Sequence, residues 1–312
     1  MADNPPILHR VLDVPLRGDG MRLDRFLAAR FADRSRSELV KNIKKGQVGT
    51  PEGVVLRSSS TVRAGQLLHI TIAGIAPSTP PPAMPQILFE DDHVAVLNKP
   101  PGLLAHPAGT AFAWSVIRAA KDHWPEHRVD LAHRLDRDTS GTMTLAKQAD
   151  ANRFLKAAFV QGRAIKIYEA VCRGVIPWDS RSLDGSIGPH GGEIRILMAV
   201  RADGLASRTD AVVLRRGENW THVRLRLHTG RTHQIRVHMA DAGFPLLGDR
   251  LYGLPFDVAL RGMEEGWDEA AIVASGAKRQ ALHAASIRFP HPTGGEVVVT
   301  APVPEDMRRL MV

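Results

Sequence analysis

Asp136 sits in the run His133-Arg134-Leu135-Asp136-Arg137-Asp138-Thr139-Ser140-Gly141, a carboxylate between two guanidinium residues that closes on small, turn-forming side chains. Neighbouring positive charge favours the ionised form of a carboxyl group, which suits a nucleophile or a group held ready for a cationic partner. The apolar stretch Met143 to Ala146 reads as a strand, so Asp136 is expected on a loop running into a sheet. Lys166-Ile167-Tyr168 opens another strand, and its period of two puts Lys166 and Tyr168 on one face. In Thr229-Gly230-Arg231-Thr232-His233-Gln234-Ile235-Arg236-Val237-His238 a helix is expected to start after Gly230, with Arg236 one turn in and projecting sideways into a cleft. Asn98-Lys99-Pro100-Pro101-Gly102 ends a short hairpin in a rigid turn, where Lys99 is available to contact an anionic partner.

The elements that must position these groups lie behind a clear boundary. Ile75 to Pro85 is rich in proline, which fixes φ and removes amide donors, so residues 77–85 are expected to form an extended connector. Ahead of it come an extension (1–20) and a small unit (21–76); behind it lies a large unit (86–312). In the small unit Leu23, Phe26 and Leu27 have helical spacing. Ser35 with Glu38 forms a capping box for a second helix, which carries Leu39 and Ile43 and ends at Gly46. Strand-like pieces follow at Val54 to Leu56 and Leu67 to Ile72. The large unit has apolar or alternating runs at Ile87 to Phe89, Val94 to Leu97, Met143 to Ala146, Val223 to Leu227 and Val297 to Thr300, with helices near Asn152 to Gln161 and Thr232 to Ala242. Strands outnumber helices in irregular order, which implies an α+β domain with a largely antiparallel sheet.

Composition narrows the class. The 312 residues hold 41 Lys and Arg against 33 Asp and Glu, a formal charge of +8 that favours a polyanionic partner, nucleic acid before membrane. Between Arg22 and Gly46, eight basic residues (among them Arg22, Arg36, Lys41, Lys44 and Lys45) face three acidic ones. The single cysteine, Cys172, excludes an internal disulfide and a thiol metal cluster, and its apolar surroundings suggest a buried strand position. No secretory signal and no run of membrane-spanning length is visible, which points to a cytoplasmic setting.

In order, Phe89 to Gly102, the Asp136 run, Lys166-Ile167-Tyr168, Thr229 to Asp249, and Leu282-His283-Ala284 with Phe289-Pro290-His291-Pro292 resemble the RluA-type pseudouridine synthases over residues 86 to 304. The resemblance implies isomerisation of uridine to pseudouridine in RNA without a cofactor. Asp136 would be the catalytic aspartate, Tyr168 the active-site tyrosine that packs on the target base, Arg236 the arginine paired with the aspartate, and Arg134 the residue that helps displace the uridine. Arg231 and His233 would position phosphate or shape the loop. Arg22-Leu23-Asp24, Ser35-Arg36-Ser37 and Ile43 to Val48 resemble the S4 RNA-binding domain over residues 21 to 73, but Gly49-Thr50-Pro51-Glu52-Gly53 departs from its usual hairpin tip. The implied substrate is large-subunit ribosomal RNA, with transfer RNA as the alternative, acted on by a monomer.

Competing readings explain less. Asp136-Arg137-Asp138-Thr139 fits the D-x-D-x-T pattern of aspartyl-phosphate phosphotransferases, but that leaves the basic charge and the Arg236 segment unused. A non-catalytic RNA-binding protein would leave Asp136, Tyr168 and Arg236 idle. Metal binding has little support: Pro125 interrupts His123 and His127, and His228, His233 and His238 lack a carboxylate set, so solvent- or RNA-facing histidines are expected.

Overall fold

The computed structural model describes residues 7–31, 36–73, 83–106, 115–194 and 196–312. The chain divides into two compact units, residues 1–83 with 106–119 and residues 84–105 with 120–312.

The first unit contains β1 (Ile7–Asp13), α1 (Leu23–Arg30), α2 (Arg36–Lys44), β2 (Val48–Gly49) and β3 (Leu67–Ala73). β3 is the middle strand, antiparallel to both β1 and β2. Leu23, Phe26, Leu27, Leu39 and Ile43 are buried against Leu12, Leu68 and Ile70, as the helical spacing requires. Gly46, with φ +73°, ends the turn after α2 in the left-handed conformation that glycine adopts without strain. Two expectations are corrected. Residues 7–13, expected in an extension ahead of the small unit, belong to it: they pair along the whole of β3, because two short strands need a third to build a stable apolar face. The strand expected at Val54 to Leu56 shrinks to one bridge between Gly49 and Val55, and both Val54 and Val55 are exposed. The Ser35 cap and most of the 77–85 connector lie outside the described residues.

The second unit is the expected α+β domain. Its strands are β4 (Gln86–Glu90), β5 (Val94–Lys99), β6 (Asp130–Leu131), β7 (Ser140–Ala146), β8 (Ile165–Arg173), β9 (Ser180–Leu183), β10 (Ile187–Pro189), β11 (Met198–Val200), β12 (Thr209–Arg216), β13 (Trp220–Leu227), β14 (Leu282–Pro290) and β15 (Glu296–Thr300). Helix α3 (Val116–His123) straddles the division between the units, and α4 (Ala149–Val160), α5 (Gln234–Asp241), α6 (Phe256–Glu265), α7 (Glu269–Ser275) and α8 (Glu305–Arg308) follow. Eight strands run in the order β4-β5-β7-β14-β8-β13-β12-β9, with β6 added to β7 and β15 to β14. Among the described pairings only β7 with β14 is parallel. At that junction Gly141 has φ +110°, and a Cβ there would strike the Ala284 carbonyl. The glycine closing the Asp136 run therefore lets two strands meet. Helix α4 buries Ala151 and Leu155 against Val94, Val96 and Phe289 of the sheet, and Cys172 is fully buried on β8, as expected. Residues 253–278 form α6 and α7; Asp268 caps α7 by accepting a 2.7 Å hydrogen bond from the Ala271 amide.

Candidate active site

Three elements of the second unit converge on a cavity of about 270 Å³. The loop from β6 to β7 brings Arg134 and Asp136, β8 brings Lys166 and Tyr168, and the first turn of α5 with the residue before it brings Arg236 and His233. This volume falls just below the ~300–1,000 Å³ usual for whole ligands, and suits a single base rather than a stretch of polymer.

Arg236 is almost wholly buried, and a second carboxylate grips it from behind. Its Nε and Nη2 donate to Asp249 Oδ2 and Oδ1 at 2.6 and 2.8 Å, and Asp249 itself is fully buried. With that fork occupied, Nη1 donates to Asp136 Oδ2 at 3.1 Å. The Tyr252 ring packs on the guanidinium, 5.0 Å from Cζ to the ring centre. Burial disfavours the charged guanidinium, but Asp249 and then Asp136 outweigh it and hold the cation more firmly than usual. Asp136 Oδ1 has no protein partner among the described residues. The cation that meets Asp136 is therefore Arg236, one hundred residues away in sequence, rather than a neighbour in its own run. Arg137 turns instead to Asp138 at 3.4 Å with its side chain 59% exposed, and Arg134 is an exposed residue lining the cavity.

Tyr168 and Lys166 share a face, and both line the cavity. Burial, with the nearby Asp136 charge adding to it, pushes the Tyr168 phenol up, so it stays neutral at physiological pH. The Lys166 ammonium donates one 3.4 Å bond to the Thr229 carbonyl, and burial lowers its pKa. Gln234 shapes the turn. Its Oε1 accepts from the Thr229 hydroxyl and the Arg231 amide, while its Nε2 donates to the Arg208 carbonyl and Thr209 Oγ1. Arg231 is exposed, lines the cavity and donates to the Ala206 carbonyl.

Several side chains lie elsewhere than their sequence suggests. Lys99 is fully buried and does not face RNA: its Nζ donates to the carbonyls of Pro100, Leu103 and Arg137, each at 2.8 Å, tying the hairpin turn to the Asp136 loop. Burial pulls its pKa down to about 7, with Asp138 working in the opposite direction. His238 is buried between Thr209 Oγ1 and the Gly185 carbonyl, and His228 pairs with Asp210 at 2.6 Å. The His233 side chain is 12% exposed and faces Asp136. Of the three, only His238 is buried against polar groups of the protein, contrary to the expectation of solvent- or RNA-facing rings; His228 is exposed and His233 lines the cavity. Asp249 and Tyr252 had no role assigned from sequence; the one available signal was a lone acid just after Gly248, where the apolar run ends.

In the first unit Arg22 and Arg36 both reach Asp24 Oδ2, at 3.1 and 2.7 Å, with their side chains about half exposed. Lys41, Lys44 and Lys45 are exposed on and just after α2. A larger cleft of about 600 Å³ beside the start of α4 holds Lys121, Arg128 and Arg153, but its acid, Asp130, is already bound by Lys156 and Asn152. Among the described residues no three potential metal ligands gather, and no helix is long and apolar enough to cross a membrane.

The family described as RNA pseudouridylate synthase matches residues 93–241, a span that contains Asp136, Tyr168 and Arg236. Ribosomal large subunit pseudouridine synthase D of Pseudomonas aeruginosa is 36% identical over 98% of this chain and 95% of its own length. The protein of the same name from Neisseria meningitidis serogroup A is 37% identical over 96% of this chain and 80% of its own. Among solved structures, human RNA pseudouridylate synthase domain containing 1 superposes with a TM-score of 0.57 at 26% identity, covering 72% of this chain and 86% of that one. With the fold and near-complete coverage in agreement, this chain belongs to the RNA pseudouridylate synthase family.

Proposed function

We propose that the chain isomerises uridine to pseudouridine in large-subunit ribosomal RNA, with Asp136 as the catalytic carboxylate, Arg236 as its ion-pair partner and Tyr168 as the aromatic wall against the target base. One arrangement carries the reading: Asp249 occupies two donors of a buried arginine so that the third meets Asp136 at the cavity. The reaction breaks the bond from N1 to C1′, turns the base and joins C5 to C1′; C5 loses a proton and N1 gains one, so no redox partner is needed. Asp136 supplies the charged oxygen beside the sugar, and Arg236 fixes its direction. The neutral Tyr168 phenol offers a stacking surface worth about 1–3 kcal/mol against the cost of extruding the base. Arg134, Arg231 and the exposed cations of the first unit would hold the RNA backbone, and an S4-like unit tethered to the catalytic unit would raise effective concentration rather than select the uridine. The names of the relatives favour ribosomal over transfer RNA. Mapping pseudouridine after incubation with unmodified large-subunit RNA and with a transfer RNA pool tests this: new sites are expected in the ribosomal RNA, and sites only in the transfer RNA would reassign the substrate.

A further inference from the structure

His233 is the only non-glycine among the described residues with a positive φ, 56°, and it precedes the first residue of α5. A strained backbone at a cavity wall calls for a reason, and the side chain supplies one. Its Nδ1 lies 2.8 Å from the Tyr252 hydroxyl, and that hydroxyl accepts a 3.0 Å hydrogen bond from the Met198 amide. With its oxygen engaged by Met198, the tyrosine is set to donate its proton to Nδ1, which places the ring proton on Nε2. Nε2 points to Asp136 Oδ2 at 3.9 Å, the same oxygen that Arg236 binds. Tyr252 is itself positioned by Asp249, whose Oδ1 accepts from the amides of Leu251 and Tyr252. One buried carboxylate thus sets both routes to Asp136, through Arg236 directly and through Tyr252 to His233.

We propose that His233 is a positioning residue for the catalytic carboxylate: held by Tyr252, it presents Nε2–H to Asp136 Oδ2, so that protein contacts fall on that oxygen and Oδ1 is left to the substrate. This rests on the pseudouridine synthase reading above. The 3.9 Å approach exceeds a hydrogen bond, and it is the kind of gap that closes when substrate fills a catalytic site. Burial and the flanking Arg236 depress the imidazole pKa to about 4, with Asp136 and Asp249 opposing and Arg134 adding to the depression; the ring stays a neutral donor. His233 was expected to position phosphate or shape the loop; a neutral, inward-facing ring is poorly suited to the first.

The test combines single-turnover rates at saturating enzyme with separately measured RNA affinity and ring-nitrogen NMR of the full chain. His233→Ala should slow pseudouridine formation about 10- to 100-fold while affinity stays within about two-fold. His233→Asn, which tolerates the left-handed backbone and keeps an N–H, should recover part of the rate and guards against a folding defect. Tyr252→Phe should slow the reaction less, and the double variant should be no slower than His233→Ala alone. The NMR should show Nε2 protonated and no titration near pH 6.5. Full rate at saturation in His233→Ala, a loss confined to affinity, or a ring protonated on Nδ1 overturns the proposal while the wild type remains active. A wild type that forms no pseudouridine in either RNA pool defeats the functional reading itself, and this proposal with it.

Discussion

Two buried carboxylates organise arginines in this chain, and they aim them in opposite directions. Asp24 in the first unit holds Arg22 and Arg36, yet leaves each guanidinium side chain about half exposed. Asp249 in the second unit holds Arg236 with both partners out of solvent, and delivers the remaining donor to Asp136. The chemistry of the pair is the same; what differs is how far the arginine is withdrawn from water. A half-exposed guanidinium keeps donors for a polyanion and is screened by salt, whereas a buried one acts at short range on a single oxygen and is costly to strand. The first arrangement suits capture of RNA, the second orientation of a reacting group.

Breaking the inner pair should do the most damage. Asp249→Ala leaves the Arg236 guanidinium buried without its main partner, at about 3–5 kcal/mol of stability. It also frees the arginine from its aim, so both melting temperature and turnover should fall in one preparation. Arg236→Lys keeps the charge but loses the fork; a drop of about 10- to 100-fold in single-turnover rate is expected, with most of the fold stability retained.

The outer pair should respond more gently and through different observables. Arg22, hydrogen-bonded to Asp24, and then Arg36 hold that carboxyl far below its ordinary range, against the opposing effect of burial. A depressed folded pKa stabilises above the unfolded value and is lost as pH falls towards the folded one. Asp24→Asn should therefore be less stable than wild type at neutral pH, with the gap narrowing below about pH 4, as urea midpoints across that range would show. Arg22→Ala or Arg36→Ala should weaken RNA binding about two- to five-fold and flatten the salt dependence by about one counterion each, with a far smaller change in rate at saturating enzyme. If the outer variants instead lost rate and the inner ones lost salt dependence, the contrast between the two pairs would collapse.

Much of the site was legible because local rules fix it. The period of two along β8 put Lys166 beside Tyr168, and the helix after the Gly230 turn carried Arg236 inward. Gly141 marked where the loop must end, since only a residue without a Cβ fits against Ala284. What stayed hidden was non-local. Asp249 reads as an ordinary turn acid until folding places it behind Arg236, and Lys99 looks like a surface cation until three carbonyls surround it. Residues 7–13 mix charged and apolar side chains, so their place as an edge strand depended on β3, some sixty residues on.

The most direct test of the central claim is the single-turnover rate of Asp136→Asn on large-subunit ribosomal RNA, beside wild type and with RNA affinity measured in parallel. The substitution preserves shape and can still accept from Arg236, but it removes the charged oxygen. The expected result is loss of pseudouridine formation by at least about 10³-fold with RNA binding retained. Pseudouridine at the wild-type rate from Asp136→Asn would contradict the assignment of Asp136 and the role given to the Asp249–Arg236 pair behind it.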